Sequence, residues 1–379
     1  MPVDYKVIPS PCYVIDEERL RQNLVQISTI AESSGTEFIL AFKGFAMWSV
    51  FPIIREYVGG AAASSLAEAR LCFEEMKSNA HTYAPVYDEA EFDEIMGYSS
   101  HITFNSINQY LKFYPRIKQS GRKISVGLRI NPEFSEIAHG LYNPCSVGSR
   151  LGITSGELGD RLPEGVEGLH FHVLFESDSH TLERTLRAVE EKFGHLLSQI
   201  KWVNMGGGHL VTRKGYDTGH MIELLKSFRL KHNLLVILEP GSAFAWETGE
   251  LVATVEDIVV NGGIRTAMLN VSFTAHMPDC LEMPYKPAVL GATDPRPGKP
   301  VYRLGGNSCL SGDFIGDWSF EKELAPGDRI VFLDMIHYTL VKTSTFNGVA
   351  HPSIGIWQSD GTFRLVRKFG YSDYKNRLS

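Results

Sequence analysis

EFILAFKGF, residues 37–45, is an apolar run that stops abruptly on a lysine and a glycine, and its pattern recurs along the first two thirds of the chain. It reads as a strand. Before it, Glu17 to Ser33 spaces Leu20, Leu24, Ile27 and Ile30 three or four apart, as an amphipathic helix does. After it, GGAAASSLAEARLCFEEM (59–76) turns from a loop into a helix, HTYAPV (81–86) reads as a strand, DEAEFDEIMGY (88–98) as a helix and HITFN (101–105) as a strand. KISVGLRIN (123–131), GVEGLHFHVLF (165–175), IKWVNMGG (200–207) and NLLVILEPG (233–241) are further apolar runs bounded by turn signals, with helical stretches such as TLERTLRAVEEKFGHLL (181–197) between them. Strands of this kind imply a parallel sheet covered on both faces. About eight of them, with polar or Gly-rich C-terminal ends, predict a closed (β/α)8 barrel of the TIM type rather than an open sheet.

The texture changes after Trp246. LVATVEDIVV, RTAMLNVSF, PVYRLGG and DRIVFLD are short runs joined by turns such as GG, PRPGKP and APGD without long helices between them, which predicts a separate antiparallel β domain. The Pro/Gly-rich stretch 291–300 is expected to be a surface insert in it.

Of 379 residues, 43% are apolar and 21% charged, so a sizeable core is expected and a disordered chain is excluded. A net charge of −7 leaves no basic surplus for a phosphate backbone, which argues against nucleic acid as a partner. Cys12, Cys72, Cys145, Cys280 and Cys309 are odd in number and form no CxxC pair, as in a reducing compartment. No basic leader and no apolar run of membrane-spanning length is present, and a cytoplasmic location is expected.

Residues able to carry chemistry fall at strand ends. Lys43, between aromatic side chains and a glycine, is a candidate nucleophilic amine if partly desolvated, although a lone strand-end lysine is more often merely solvated. His170 and His172 are two apart, so on one strand both would face the same side; a metal pair, a ring stacked on a planar cofactor and satisfied core histidines all remain open. Gly206, Gly207 and Gly208 leave backbone N–H groups free to approach a phosphate, or simply make a tight turn; they match neither the Walker pattern nor GxGxxG. Glu239 ends a very apolar strand and needs a partner, for which a protonated ring nitrogen is suitable. Cys309 and Asp313 lie in GNSCLSGD (306–313) and Tyr338 in YTLVKTSTFNG (338–348); taken singly, a buried cysteine and a packed tyrosine are the plainer readings.

In this order the set resembles the fold-type III pyridoxal-phosphate decarboxylases, the family of ornithine and diaminopimelate decarboxylases, over nearly the whole chain. The resemblance implies an alanine racemase-like architecture, a barrel over 17–245 with residues 1–16 and 246–379 forming the β domain. It implies Lys43 as the Schiff-base lysine, His172 stacked on the pyridine ring, Gly206 to Gly208 as the phosphate cradle, Glu239 on the pyridinium nitrogen and Tyr338 on the phosphate. Cys309 would cross from a partner subunit to protonate the carbanion, which makes the site a shared product of a homodimer. Racemases of the family use a weaker nitrogen partner and a tyrosine acid/base, so Glu239 with Cys309 points to decarboxylation.

Two departures narrow the substrate. Ser242 stands where ornithine and diaminopimelate decarboxylases have arginine after Glu-Pro-Gly, and the usual His-Val-Gly-Ser is here His172-Val-Leu-Phe-Glu-Ser177. SFTAHMPDCLEMPYKP (272–287), YNPCSVGSRLG (142–152) and GNSCLSGDFIGDW (306–318) resemble a bacterial branch that makes norspermidine and spermidine from carboxylated triamines. Glu176, Asp279 and Asp313 would supply negative charge to such a tail. The alternatives are an ornithine or diaminopimelate decarboxylase, a metal-dependent barrel hydrolase built on His170 and His172, and a silent cofactor binder, against which Lys43 with Cys309 counts.

Overall fold

The computed structural model describes residues 2–379 apart from His139 and Leu141. Two units emerge, one of Asn23–Phe244 and one of Met1–Gln22 with Ala245–Ser379.

In the first unit the apolar runs pair side by side, all parallel: Ala61–Ala63, Ala80–Tyr83, Ser99–Phe104, Ser125–Arg129, Val166–His170, Trp202–Asn204 and Leu235–Leu238. The opening run 37–41 closes the ring. Its first half, Glu37–Phe38, pairs with Leu235–Leu238, and its second half, Leu40–Ala41, with Ala61–Ala63. The neighbouring amides of Ile39 and Leu40 donate in opposite directions, to Leu238 at 2.9 Å and to Gly60 at 3.1 Å, so no barrel edge is left at this seam.

Trp202 is buried against the neighbouring strands, and the sequence makes room for it. A Cβ at Gly168 would lie 2.1 Å from the indole and one at Gly127 2.4 Å, so neither position tolerates a side chain. The indole N–H is satisfied by Ser125 Oγ at 2.8 Å. Helix Glu17–Ser34, whose residues up to Gln22 belong to the second unit, buries Leu20, Leu24, Ile27 and Ile30 as their spacing requires. Helices Ser179–Leu197 and Thr218–His232 are started by Asp178 and Asp217, whose carboxylates accept from the amides of Thr181 and His220.

The second unit is a nine-stranded sheet in which most pairings are antiparallel, among them the long strand Gly249–Asn261 with Ile264–Leu269 and with Arg329–Phe332. Two pairings are parallel: Cys12–Asp16 with Ser353–Trp357, and Ile264–Leu269 with Val301–Gly305. Turn signals between adjacent runs reveal hairpins but not partners that meet from far along the chain. RTAMLNVSF leaves the sheet at Leu269, and Ser272 caps a helical turn at Phe273–His276. The 291–300 stretch holds a two-residue strand, Ala292–Thr293, paired with Phe320 and Ser319. Among the described residues no helix is long and apolar enough to cross a membrane.

Candidate functional site

The C-terminal ends of the barrel strands gather Lys43, Arg129, His170, His172, Asn204, the glycine turn and Glu239. Lys43 lies just beyond the strand half Leu40–Ala41, and its Nζ is 2.8 Å from His172 Nε2. The amine is accessible to solvent, yet the surrounding protein leaves it poorly hydrated. That desolvation, with the Arg129 guanidinium nearby, lowers its pKa to about 8, and Glu239 and Glu68 only partly oppose the shift.

Strand Val166–His170 ends before His172, so the two histidines do not share a pleat face as their spacing suggested. His170 is buried and turns toward Tyr83, ring centroids 5.2 Å apart, and toward Glu239, 3.8 Å away. His172 turns to Lys43 and the glycine turn. Burial, followed by the charges of Lys43 and Arg129, holds His172 well below its ordinary pKa, so it is neutral at pH 7. Its Nδ1 lies 3.0 Å from the Gly207 N–H and 3.1 Å from the Gly207 carbonyl. One nitrogen cannot both accept and donate. With Lys43 mostly an ammonium at pH 7 and donating to Nε2, the consistent tautomer carries its proton on Nδ1 and donates to the Gly207 carbonyl.

The three glycines are demanded by close packing. Gly206 and Gly208 have φ of +66° and +90°, in the left-handed region, and a Cβ on them would lie 2.6 Å from the Phe171 carbonyl oxygen and 2.2 Å from that of Leu174. On Gly207 it would lie 2.4 Å from the Glu239 carbonyl oxygen. The turn therefore sits directly against the His172 segment on one side and the Glu239 backbone on the other.

Asn204 organises this corner. Its Nδ2 donates to Glu239 Oε1 at 2.6 Å and its Oδ1 accepts from the Gly206 N–H at 2.9 Å. Burial by itself would raise the Glu239 pKa, but His170 and the Asn204 amide outweigh it and hold the carboxyl below the usual range. Glu239 is ionised at neutral pH.

Arg129 and Asn204 were not singled out from the sequence, and both carry a signal: a polar residue at the end of an otherwise apolar strand. The buried Arg129 guanidinium lies 4.8 Å from the centroid of the Tyr83 ring and donates to the His172 carbonyl at 3.1 Å. Among the described residues it makes no ion pair with a carboxylate. A buried cation left in that state calls for an anionic or electron-rich ligand.

The remaining candidates need separate treatment. Glu176 lies in the same unit as Lys43, with a strained φ of +45°. Asp279, Cys309, Asp313 and Tyr338 belong to the sheet unit. Buried Asp279 accepts from Tyr285 Oη at 2.8 Å and Thr339 Oγ1 at 2.9 Å through Oδ2, while its Oδ1 has no hydrogen-bond partner. Cys309 is exposed, not buried as the plainer reading had it, on a loop pinned by its own amide donating to Asn347 Oδ1 at 2.8 Å. Tyr338 is half-buried near the edge of the His337 ring.

Asp313 has a structural task in this unit. Its carboxylate is buried and takes the amides of Phe273 at 2.7 Å, Thr274 at 3.1 Å and Ser308 at 3.0 Å, which ties the Cys309 loop to the 273–276 turn. A carboxylate so held is a structural anchor, with three of its roughly four acceptor positions taken by amides. Asp313→Ala is expected to lower stability by about 2–4 kcal/mol in urea unfolding, since it strands buried donors. A stable variant with only a raised KM for substrate would restore the substrate-binding role.

Comparison with known proteins bears on what this arrangement does. Residues 12–336 match the family described as pyridoxal-dependent decarboxylase, C-terminal sheet domain. The carboxyaminopropylagmatine decarboxylase of Synechocystis sp. is 51% identical over 98% of this chain and 96% of its own length. The carboxynorspermidine/carboxyspermidine decarboxylase of Campylobacter jejuni is 42% identical over 98% of this chain and 99% of its own. The crystal structure of carboxynorspermidine decarboxylase with norspermidine from Campylobacter jejuni superposes with a TM-score of 0.90 at 41% identity, covering 98% of this chain and 100% of that one.

Proposed function

We propose, for a chain that belongs to the pyridoxal-dependent decarboxylases, that its substrate is a carboxylated polyamine. It is an amino acid whose α-carboxylate is lost while an extended cationic tail is held elsewhere in the site. Carboxynorspermidine and carboxyspermidine are the leading candidates, and the products would be norspermidine and spermidine. The observation that carries the decarboxylase chemistry is Lys43 Nζ at 2.8 Å from a neutral His172, in one corner with an ionised Glu239 and an unneutralised Arg129.

This donor set fits pyridoxal phosphate. Once bound, the cofactor draws off the electron pair left when a carboxylate departs as carbon dioxide. Lys43 would hold it covalently, helped by a pKa near 8 that keeps a useful fraction of free amine at neutral pH. His172, neutral and fixed through Nδ1, would offer its ring face, and the Gly206 to Gly208 backbone would receive the phosphate. Arg129 would meet an anionic oxygen. Glu239, locked by Asn204, would keep a proton on the ring nitrogen.

Among the acidic candidates, Asp279 is the one with a buried, unpartnered carboxylate oxygen, which suits an ammonium group. Ser242 in place of arginine leaves that position without a grip for a distal carboxylate, against a diaminopimelate-like substrate. A second reading, a tail that ends in guanidinium as in carboxyaminopropylagmatine, is favoured by the 51% identity to the Synechocystis enzyme. Carbon dioxide release from carboxynorspermidine, carboxyspermidine, carboxyaminopropylagmatine, diaminopimelate and ornithine separates these readings. A carboxylated polyamine is expected to give the highest kcat/KM, by roughly tenfold or more for each buried polar group the shorter substrates leave unpaired. Faster turnover of diaminopimelate or ornithine would overturn the assignment.

The exposed Cys309 on its anchored loop supports a homodimer in which one subunit's thiol serves the other's barrel site. Mixing inactive Lys43→Ala and Cys309→Ala chains is expected to restore about a quarter of wild-type activity on random exchange. Exchange shown by mass, with no recovery, would place the thiol in the same chain as its lysine.

A further inference from the structure

We propose that His180, Glu183 and His220, none of them assigned to decarboxylation, bind one divalent transition-metal ion of the zinc type at the starts of two helices of the barrel unit. The three side chains come from two helices, Ser179–Leu197 and Thr218–His232, and their ligand atoms all lie within 4.8 Å of one another. His180 and Glu183 are three apart on one helix and so share a face. His220 reaches them from the second helix, with its ring 4.2 Å from that of His180 and the planes 25° apart.

One distance already suits a small tetrahedral ion. Zinc bonds of about 2.1 Å at the tetrahedral angle put neighbouring ligand atoms about 3.4 Å apart. His220 Nε2 and Glu183 Oε2 are 3.4 Å apart. The other ligand atoms lie within 4.8 Å, and binding would turn the stacked His180 and His220 rings toward a shared ion, which side chains that are exposed or half-buried have room to do. His220 is also oriented in the way metal-binding imidazoles are: its Nδ1 lies 2.9 Å from the hydroxyl of the fully buried Ser179, which leaves Nε2 for the ion. Asp217 Oδ2, 3.9 Å from His180 Nε2, or a water would complete the set. Two imidazoles and a carboxylate favour zinc, cobalt, nickel or copper over magnesium or calcium. The competing ion pair of Glu183 with Arg187 is a surface pair and is readily given up.

The location gives the ion a consequence. The segment that leaves His172 runs into the first helix, and the segment that leaves the glycine turn runs into the second. The two segments are already laced together, with Ser177 N–H donating to Gly208 at 2.8 Å and Leu210 N–H to Ser177 at 3.4 Å. An ion bridging the two helix starts would fasten the far ends of both, and so stiffen the loops around the glycine turn.

Zinc uptake by holoenzyme, measured against a chromophoric chelator with thermal melting in parallel, tests this. Wild type is expected to take up one equivalent per chain and melt higher with zinc. The His180→Ala/His220→Ala variant should lose that equivalent and the shift, while Cys309→Ala keeps both. Ser179→Ala should bind zinc roughly ten- to a hundredfold more weakly, the scale for a lost supporting contact. Metal-free melting of each variant checks its fold. Equal zinc uptake by wild type and the double histidine variant, or none by wild type, would overturn the proposal.

Discussion

Lys43→Ala is expected to abolish decarboxylation, by roughly four orders of magnitude or more, the scale on which removal of a covalent catalyst is felt. The visible absorbance of a lysine-held pyridoxal cofactor should vanish with it and not return after dialysis against excess cofactor. Folding should be nearly unaffected, because Lys43 is accessible rather than packed and its chief contact is the hydrogen bond to His172. Carbon dioxide release, the spectrum and the melting temperature read these three effects separately. A variant that retains both the band and turnover would remove Lys43 from the chemistry and leave it a solvated strand-end lysine.

Glu239→Gln is expected to lower turnover by about two orders of magnitude while the cofactor stays bound. Shape is preserved: glutamine keeps an oxygen that can accept from Asn204 Nδ2, so the tie to the glycine turn through Asn204 survives. What is lost is the negative charge that favours a protonated ring nitrogen, and with it part of the stabilisation of the electron pair freed by decarboxylation. A loss confined to cofactor affinity would make Glu239 a binding residue only, and unchanged turnover would exclude it altogether.

The barrel was legible because a parallel sheet covered on both faces must be written in apolar runs, and the runs beginning at EFILAF stand out against their helical spacers. Closure at Ile39, where one run serves both neighbours, follows from that count but leaves no local mark in the sequence. The strand at His170 was read too long. Period-two spacing carried it on to His172, whereas the chain leaves the ladder where the glycine turn presses against Phe171 and His172.

Lys43, His172 and Glu239 could be found because each sits in a motif at a strand end. Asn204 and Arg129 escaped because their importance lies in what they touch on neighbouring strands and turns, such as Asn204 joining Glu239 to Gly206, which spacing along the chain does not record. Asp313 shows the converse: an acidic residue in a Gly-rich loop suggests a cationic ligand, and only the fold reveals the three backbone amides on its carboxylate.

Borohydride reduction of the active holoenzyme, followed by peptide mapping, tests the site most directly. The reduced cofactor is expected on the peptide that carries Lys43, at one equivalent per chain, with loss of activity in parallel. Attachment to a different lysine, or no attachment in a preparation that releases carbon dioxide from a carboxylated polyamine, would contradict the account.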